Sequence, residues 1–295
     1  MDNELKTSVL ISTYKNDNIK FLERAIDSII NQTKKPDEIV IVVDGPIPKE
    51  NFLLLNEYSE KNKKIKIIEC KKNIGLGLAL RKGVEECTNE LILRMDSDDI
   101  SRNDRIEKLY KKIVKEEYDI VGSNITEFID DENNIVSIRT VPEKDTEIKK
   151  YLKKRCPMNH VSVIFKKESV LKVGNYESLL YNEDYLLWIK MAQAEMKFYN
   201  IQENLVNVRV GQDMYKRRGG KIYFRSEKKI QDYMLKNKII SIPIYVTNLI
   251  KRYILQVLMT NNMRQFVFQK FARKSVKGWK YGEWFNFFVD YYSSF

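Results

Sequence analysis

Short runs of Ile, Val and Leu alternate with stretches whose apolar residues recur every three or four positions, and this alternation restricts the fold more than any other feature of the chain. TSVLIST (7–13), DEIVIVVDG (37–45), KIKIIEC (64–70), ELILRMD (90–96) and YDIVGSNITEF (118–128) read as strands. Between them, FLERAIDSIINQT (21–33) places Phe21, Leu22, Ala25, Ile26, Ile29 and Ile30 on one helical face. GLALRKGVEEC (77–87) and ISRNDRIEKLYKKIVKEE (100–117) read as further helices. Strands alternating with helices predict an α/β fold with a mostly parallel sheet covered on both faces. Ligands of such sheets bind beyond the carboxyl ends of the strands. The first four strands all end in polar residues: Thr13 and Tyr14, Asp44, Lys71 to Asn73, and Asp96 to Asp99. Chain direction alone predicts that these meet along one edge.

The acidic run is the sharpest of these endings. In MDSDD (95–99) three carboxylates crowd into four residues behind a buried strand. Asp-x-Asp at a strand end projects two carboxylates to the same side, and paired hard oxygens suit Mg²⁺ or Mn²⁺ beside substrate phosphates. The plain alternative is a helix cap for ISRNDRIEKL, and Asp99 is expected to serve as that cap. Capping uses one side chain and leaves the other two to explain.

Other motifs are weaker alone. Asp44 precedes the turn pair Gly45-Pro46; an ordinary turn aspartate competes with a role in holding a base or ribose. KKNIGLGLALRKG (71–83) offers a glycine-rich helix start suited to phosphate, but Leu80 occupies the third glycine of a dinucleotide fingerprint, and no P-loop is present. In YNEDYLLW (181–188) Glu183-Asp184 is either an acidic first turn or a general base. His160, the single histidine, is expected at the start of a strand; it rules out multi-histidine zinc and leaves a structural role or a role in metal or acceptor binding. Cys70, Cys87 and Cys156 lack metal-type spacing and read as free thiols of a reducing compartment. The opening MDNELKTSVLISTYK is not expected to be a secretion signal.

Charge divides the chain. Of 52 Lys/Arg, 17 fall in 214–295 against Glu227, Asp232, Glu283 and Asp290, leaving that segment at +13 and residues 1–213 at −2. The same segment carries 18 of the 33 aromatic residues. A boundary is therefore expected near 210–220, with a catalytic domain over 1–220 and a basic, aromatic helical segment over 221–295. VRVGQDMYKRRGG (208–220), at the boundary, is suited to clamping a diphosphate. IISIPIYVTNLI (239–250) is too short to span a bilayer. The mixture of Lys/Arg with Phe, Tyr and Trp, including Trp279, Trp284 and WFNFFVDYYSSF, suits an anionic membrane surface; simple packing on the catalytic domain is the alternative. No nucleic-acid-binding motif accompanies the basic charge, and the acidic edge opposes such a partner.

In their order VLISTYKND, PDEIVIVVDG, KNIGLGLALRKG, LILRMDSDD, NHVSVIFKK and YNEDYLLW resemble the family 2 glycosyltransferases of the GT-A fold, nearest to the bacterial capsule and exopolysaccharide enzymes of amylovoran-biosynthesis type. The likeness runs over roughly 5–225. It implies a Rossmann-like nucleotide-diphospho-sugar transferase sheet and an inverting, metal-dependent transfer from a nucleotide sugar, UDP first among donors, to a lipid-diphosphate-linked saccharide. Such an enzyme would work peripherally at the inner face of the bacterial cell membrane. By this resemblance Thr13 and Tyr14 line the nucleotide pocket, Asp44 holds the uracil, and Asn73, Gly75, Arg81 and Ser97 border the nucleotide. Asp96 stands near the ribose and metal, Asp98 ligates Mn²⁺ or Mg²⁺, and Asp184 is the base, with Asn182, Glu183 and His160 towards the acceptor. The sequence departs from the family at Val43-Asp44-Gly45-Pro46, where Asp-Asp-Gly-Ser is common, and at Asn103, where proline is. Two other functions compete. A sugar-nucleotide nucleotidyltransferase needs a glycine-rich loop where STYKNDN stands, and a non-catalytic binding module predicts the loss of Asp98 or Asp184, both of which are present.

Overall fold

A computed structural model describes residues 4–211, 219–261, 263, 264, 266, 267 and 273–275. Its centre is a run of four parallel strands, β1 (Thr7–Thr13), β2 (Glu38–Val43), β3 (Ile65–Glu69) and β4 (Leu91–Asp96), in the order β3-β2-β1-β4. Helices α1 (Ile19–Ile30), α2 (Lys49–Lys61) and α3 (Leu76–Glu86) make the crossovers. Beyond β4 the sheet turns mainly antiparallel. β8 (Ile164–Lys166) joins β4 to β6 (Ile120–Phe128), β7 (Ile135–Arg139) pairs with β6, and β10 (Lys274–Ser275) pairs with β7. The long β9 (Phe198–Arg209) runs parallel to β6 and also takes the two-residue β5 (Ile100–Ser101). Further helices are α4 (Arg105–Lys115), α5 (Asp145–Leu152), α6 (Lys167–Lys172), α7 (Glu183–Gln193), α8 (Gly220–Lys236) and α9 (Ile242–Tyr253).

Side-chain alternation sorts the strands into two cores. Leu10, Val40, Val42 and Ile92 face α3 and α7, together with Trp188, Tyr176 and Phe165. Val9, Ile11, Ile39, Ile41, Leu93 and Met95 face α1 and α4. On the first face α3 approaches β1 so closely that a Cβ on Gly83 would lie 2.2 Å from Leu10 Cδ1.

Three expectations need correction. The segment expected as one helix over 100–117 begins as β5, because Ile100 and Ser101 pair with Asn207 and Val206, and α4 starts only at Arg105 with Asp104 at its cap. Asp99 therefore does not cap; its Oδ1 accepts Arg209 N at 2.9 Å. His160 opens a 3₁₀ turn, His160–Ser162, ahead of β8 rather than a strand.

The C-terminal helices pack on the rest of the chain. Ile230 and Met234 of α8 enter the first core, and Arg252 of α9 pairs with Glu227 and donates to Lys154 O at 2.8 Å. Arg273 forms a buried ion pair with Glu127. The outward face of α9 is different: Ile242, Val246, Ile250 and Tyr253, each about one turn from the next, are all exposed. Among the described residues no helix is long and apolar enough to cross a membrane. The expectations for 212–218 and for Trp279, Trp284 and the terminal aromatic run lie outside the described residues.

Candidate active site

Register brings the polar strand ends together. Ser12 lies opposite Asp96, Thr13 opposite Val43, and Val43 opposite Glu69, so the four carboxyl ends finish level. At the β4 end, carboxylate oxygens of Asp96, Asp98 and Asp99 all lie within 4.8 Å of one another. Asp98 is exposed at the edge, yet the protein ringing its carboxylate, followed by the charges of Asp96 and Asp17, pushes it up to about 6. Burial, then Asp98 and Asp96, raise Asp99 further. Asp99 Oδ2 is buried without a hydrogen-bond partner among the described residues. Three crowded carboxylates, with Asp98 and Asp99 held above their ordinary range and one oxygen idle, fit a divalent cation, which would relieve both the repulsion and the orphaned acceptor.

A fourth carboxylate, Asp17, belongs to this corner and is not among the residues expected there. Its Oδ2 accepts from Thr13 Oγ1 (2.9 Å), Tyr14 N (3.1 Å) and Ser97 Oγ (2.6 Å), and burial raises it. Thr13, Tyr14 and Ser97 are thus brought together through Asp17. The signal available in the sequence was the Asx-rich YKNDN ahead of α1, where Asn18 is the cap.

Asp44 is buried at the β2 end. Its carboxylate accepts from Ile74 N (2.7 Å), Gly75 N (3.0 Å) and Asn73 Nδ2 (3.0 Å). The glycine-rich turn is therefore anchored by Asp44, and the amides of residues 74 and 75 are already engaged. Gly75 caps α3 with φ +85°, and Gly45 lies so near Asn73 N that a Cβ would come within 2.5 Å. A cavity of about 340 Å³ opens on the β3 side of Asp44, lined by Val43, Gly45, Pro46, Phe52, Glu69 and Lys71. Arg81 is turned elsewhere: its Nη1 donates to Gly174 O (3.1 Å) and Tyr176 O (3.2 Å).

The face of β4 that carries Arg94 and Asp96 is covered by α7, whose first turn holds Glu183 and Asp184. Burial, then Asp184, raises Glu183 to about 7, with Arg94 opposing. Burial raises Asp184 as well, offset by Tyr185 N at 2.7 Å and by Arg139 and Arg94. Cys156 Sγ stands 3.6 Å from Asp184 Oδ2. A raised carboxylate at a helix N-terminus is the form a base takes. Asn182 caps this helix, but its Nδ2 donates to Ser226 Oγ of α8 at 3.0 Å. His160 Nε2 is 2.8 Å from Tyr176 Oη, and the ring meets Trp188 edge-on; burial and then Arg94 hold the imidazole neutral. His160 is not part of the Asp96–Asp98–Asp99 cluster. All three cysteines are free thiols.

Arg209, at the end of β9, donates from Nε to Asp98 O (3.2 Å) and stacks 3.8 Å above the Phe21 ring. The start of the boundary stretch, at Arg209, therefore lies beside the acidic cluster. Arg209 belongs to the basic stretch expected at a diphosphate, whereas nothing in the local sequence around Arg94 signals a role.

Known proteins resemble this chain in sequence and in fold. The family model for glycosyl transferase family 2 matches residues 8–178. The UDP-Gal:alpha-D-GlcNAc-diphosphoundecaprenol beta-1,3-galactosyltransferase of Escherichia coli is 35% identical over 274 residues, covering 92% of this chain and 98% of its own. The amylovoran biosynthesis glycosyltransferase AmsE of Erwinia amylovora is 35% identical over 230 residues, 78% of this chain and 85% of its own. Among solved structures, S. aureus TarS 1–349 in complex with UDP-GlcNAc superposes with a TM-score of 0.63 at 16% identity, over 85% of this chain and 73% of that one. The mannosyltransferase PcManGT of Pyrobaculum calidifontis in complex with GDP-Man and Mn²⁺ gives 0.59 at 14%, over 89% and 72%. The two structures share the fold, and with the family model and two relatives aligned along most of their length, the chain belongs to glycosyl transferase family 2.

Proposed function

We propose that this glycosyltransferase moves a sugar from a nucleotide diphosphate, UDP first among donors, to a hydroxyl of a lipid-diphosphate-linked saccharide, inverting the anomeric carbon. The observation that carries the reading is the Asp96–Asp98–Asp99 cluster at the carboxyl end of a central parallel strand. The E. coli relative is named for UDP-Gal and a diphosphoundecaprenol-linked acceptor, and the TarS and PcManGT complexes hold UDP-GlcNAc and GDP-Man with Mn²⁺.

Asp98, with Asp96, would hold Mn²⁺ or Mg²⁺. When bound, the ion neutralises charge that builds on the departing diphosphate. The chain's own residues do the rest. Asp44 fixes the 73–75 turn that walls the nucleoside. Asp184 accepts the proton of the acceptor hydroxyl as its oxygen bonds to the anomeric carbon. The electron pair of the breaking C–O bond leaves with the diphosphate on the opposite side. Arg209 brings a guanidinium to the same corner.

The acceptor's lipid calls for work at a bilayer, and α9 suits that place. Its outward face is apolar, Lys236 and Lys238 precede it, and the whole segment is strongly cationic. An exposed apolar strip with basic flanks matches an anionic leaflet, here the inner face of the cell membrane. Flotation with anionic vesicles is expected to carry the protein upward; Ile242→Glu with Ile250→Glu is expected to leave it behind. The reading of the reaction is tested by screening UDP- and dTDP-sugar hydrolysis with Mn²⁺ in the wild type and Asp98→Ala. Turnover lost in the variant supports it; no binding or turnover of any nucleotide sugar by the wild type rejects it.

A further inference from the structure

Arg94 occupies a place where a parallel strand ordinarily carries an aliphatic side chain. It follows Ile92 and precedes Asp96 on the face covered by α7, and it is 2% exposed. Its Nη2 is ion-paired with Asp96 Oδ1. Its Nε and Nη1 are buried and have no hydrogen-bond partner among the described residues. A buried guanidinium with most of its donors idle costs stability unless opposite charge surrounds it.

That charge is present, on two sides. Asp96, Asp98 and Asp99 lie at the end of its own strand. Glu183 and Asp184 lie on α7, and Arg94 opposes the upward displacement of both. Other groups face the same space. Tyr176 and His160 are hydrogen-bonded to each other and lie near Arg94. Arg139 and Cys156 adjoin Asp184. Arg105, on the far face of the strand, donates to Arg94 O at 2.6 Å. Among these, Arg94 is the cation in direct contact with the acidic cluster that also acts on both carboxylates of α7.

We propose that Arg94 is a positioning residue shared by the two acidic halves of the site: its guanidinium holds Asp96 Oδ1, turning the second oxygen towards the donor, and supplies the buried positive charge that Glu183 and Asp184 face. The inference rests on the transfer reaction proposed above. Arg94 is not assigned contact with substrate; it acts through the carboxylates on either side.

The test uses the full chain with Arg94→Met and Arg94→Lys. Methionine is apolar and of comparable length, so a buried strand position accommodates it; lysine keeps the charge and loses the planar fork. With the best nucleotide sugar from the screen, Arg94→Met is expected to lower kcat by about 10²-fold and raise KM. The acid limb of its rate profile is expected to move up by about one pH unit as Glu183 and Asp184 lose their counter-charge. Arg94→Lys should restore the limb more fully than KM. Combined with Asp96→Asn, the Arg94→Met effects on KM should not add, because the two act through one contact. Denaturant unfolding gives a readout that needs no turnover: Arg94→Met should lose stability relative to wild type as pH rises, whereas a packing role shifts it equally at every pH. An unmoved acid limb, additive effects on KM, or a stability difference independent of pH would overturn the proposal. If the wild type turns over no nucleotide sugar, the reaction reading falls, and the unfolding measurement still decides the role of Arg94.

Discussion

Replacing Glu183 with glutamine should stabilise the protein at alkaline pH while damaging its activity. Glu183 is 7% exposed in the first turn of α7, and burial followed by the Asp184 charge lifts it from 4.5 to about 7. Above about pH 7 the folded chain bears an ionised carboxylate that the unfolded chain hydrates freely. Between about 4.5 and 7 the folded state takes up a proton that the unfolded state does not, so this group adds stability as pH falls through that interval. Some 2.5 pH units at about 1.4 kcal/mol each set a ceiling of about 3 kcal/mol. Glu183 and Asp184 titrate as a pair and Arg94 offsets part of the cost, so about 1–2 kcal/mol is expected. Urea unfolding of Glu183→Gln should exceed wild type by that amount near pH 8, with the gap closing near pH 5. A gap that is flat with pH, or that widens towards acid, refutes the reasoning.

Further outcomes follow from single contacts. Asp184→Asn should cut transfer by about 10²–10⁴-fold while calorimetric UDP binding stays at the wild-type level. Asp44→Ala removes the acceptor of two amides and one side-chain amide; faster hydrogen exchange at residues 74 and 75 and a loss of about 2–3 kcal/mol are expected. Gly83→Val drives a side chain into Leu10 and should cost about 1–3 kcal/mol by denaturant unfolding, with the strand-end site kept.

The parallel half of the fold was legible because period-two and period-3.6 patterns change over cleanly from β1 to α1 and from β3 to α3. The polar strand ends followed from chain direction alone. Helix α2 was not expected: Leu53 is exposed, and only Asn51 and Leu55 of its span are buried, so it writes little pattern. The Ile100–Ser101 strand was read as helix because its partner, β9, lies over a hundred residues away. Asp99 was misassigned for the same reason, since the Arg209 amide it accepts is equally distant in sequence. Asp96 and Asp98 stand out by their spacing at a strand end, whereas Asp184 stands out only through the likeness of YNEDYLLW to the family motif. Arg94 and Asp17 do not, because their meaning lies in what they face across the sheet edge and not in their neighbours along the chain.

The central claim concerns Asp98 and a nucleotide diphosphate. Crystals grown with UDP and Mn²⁺, measured for the anomalous signal of manganese, examine it directly. One peak is expected between the Asp98 carboxylate and the β-phosphate, at the end of β4. A diphosphate bound away from that strand end, or bound there with no manganese peak, would contradict the account.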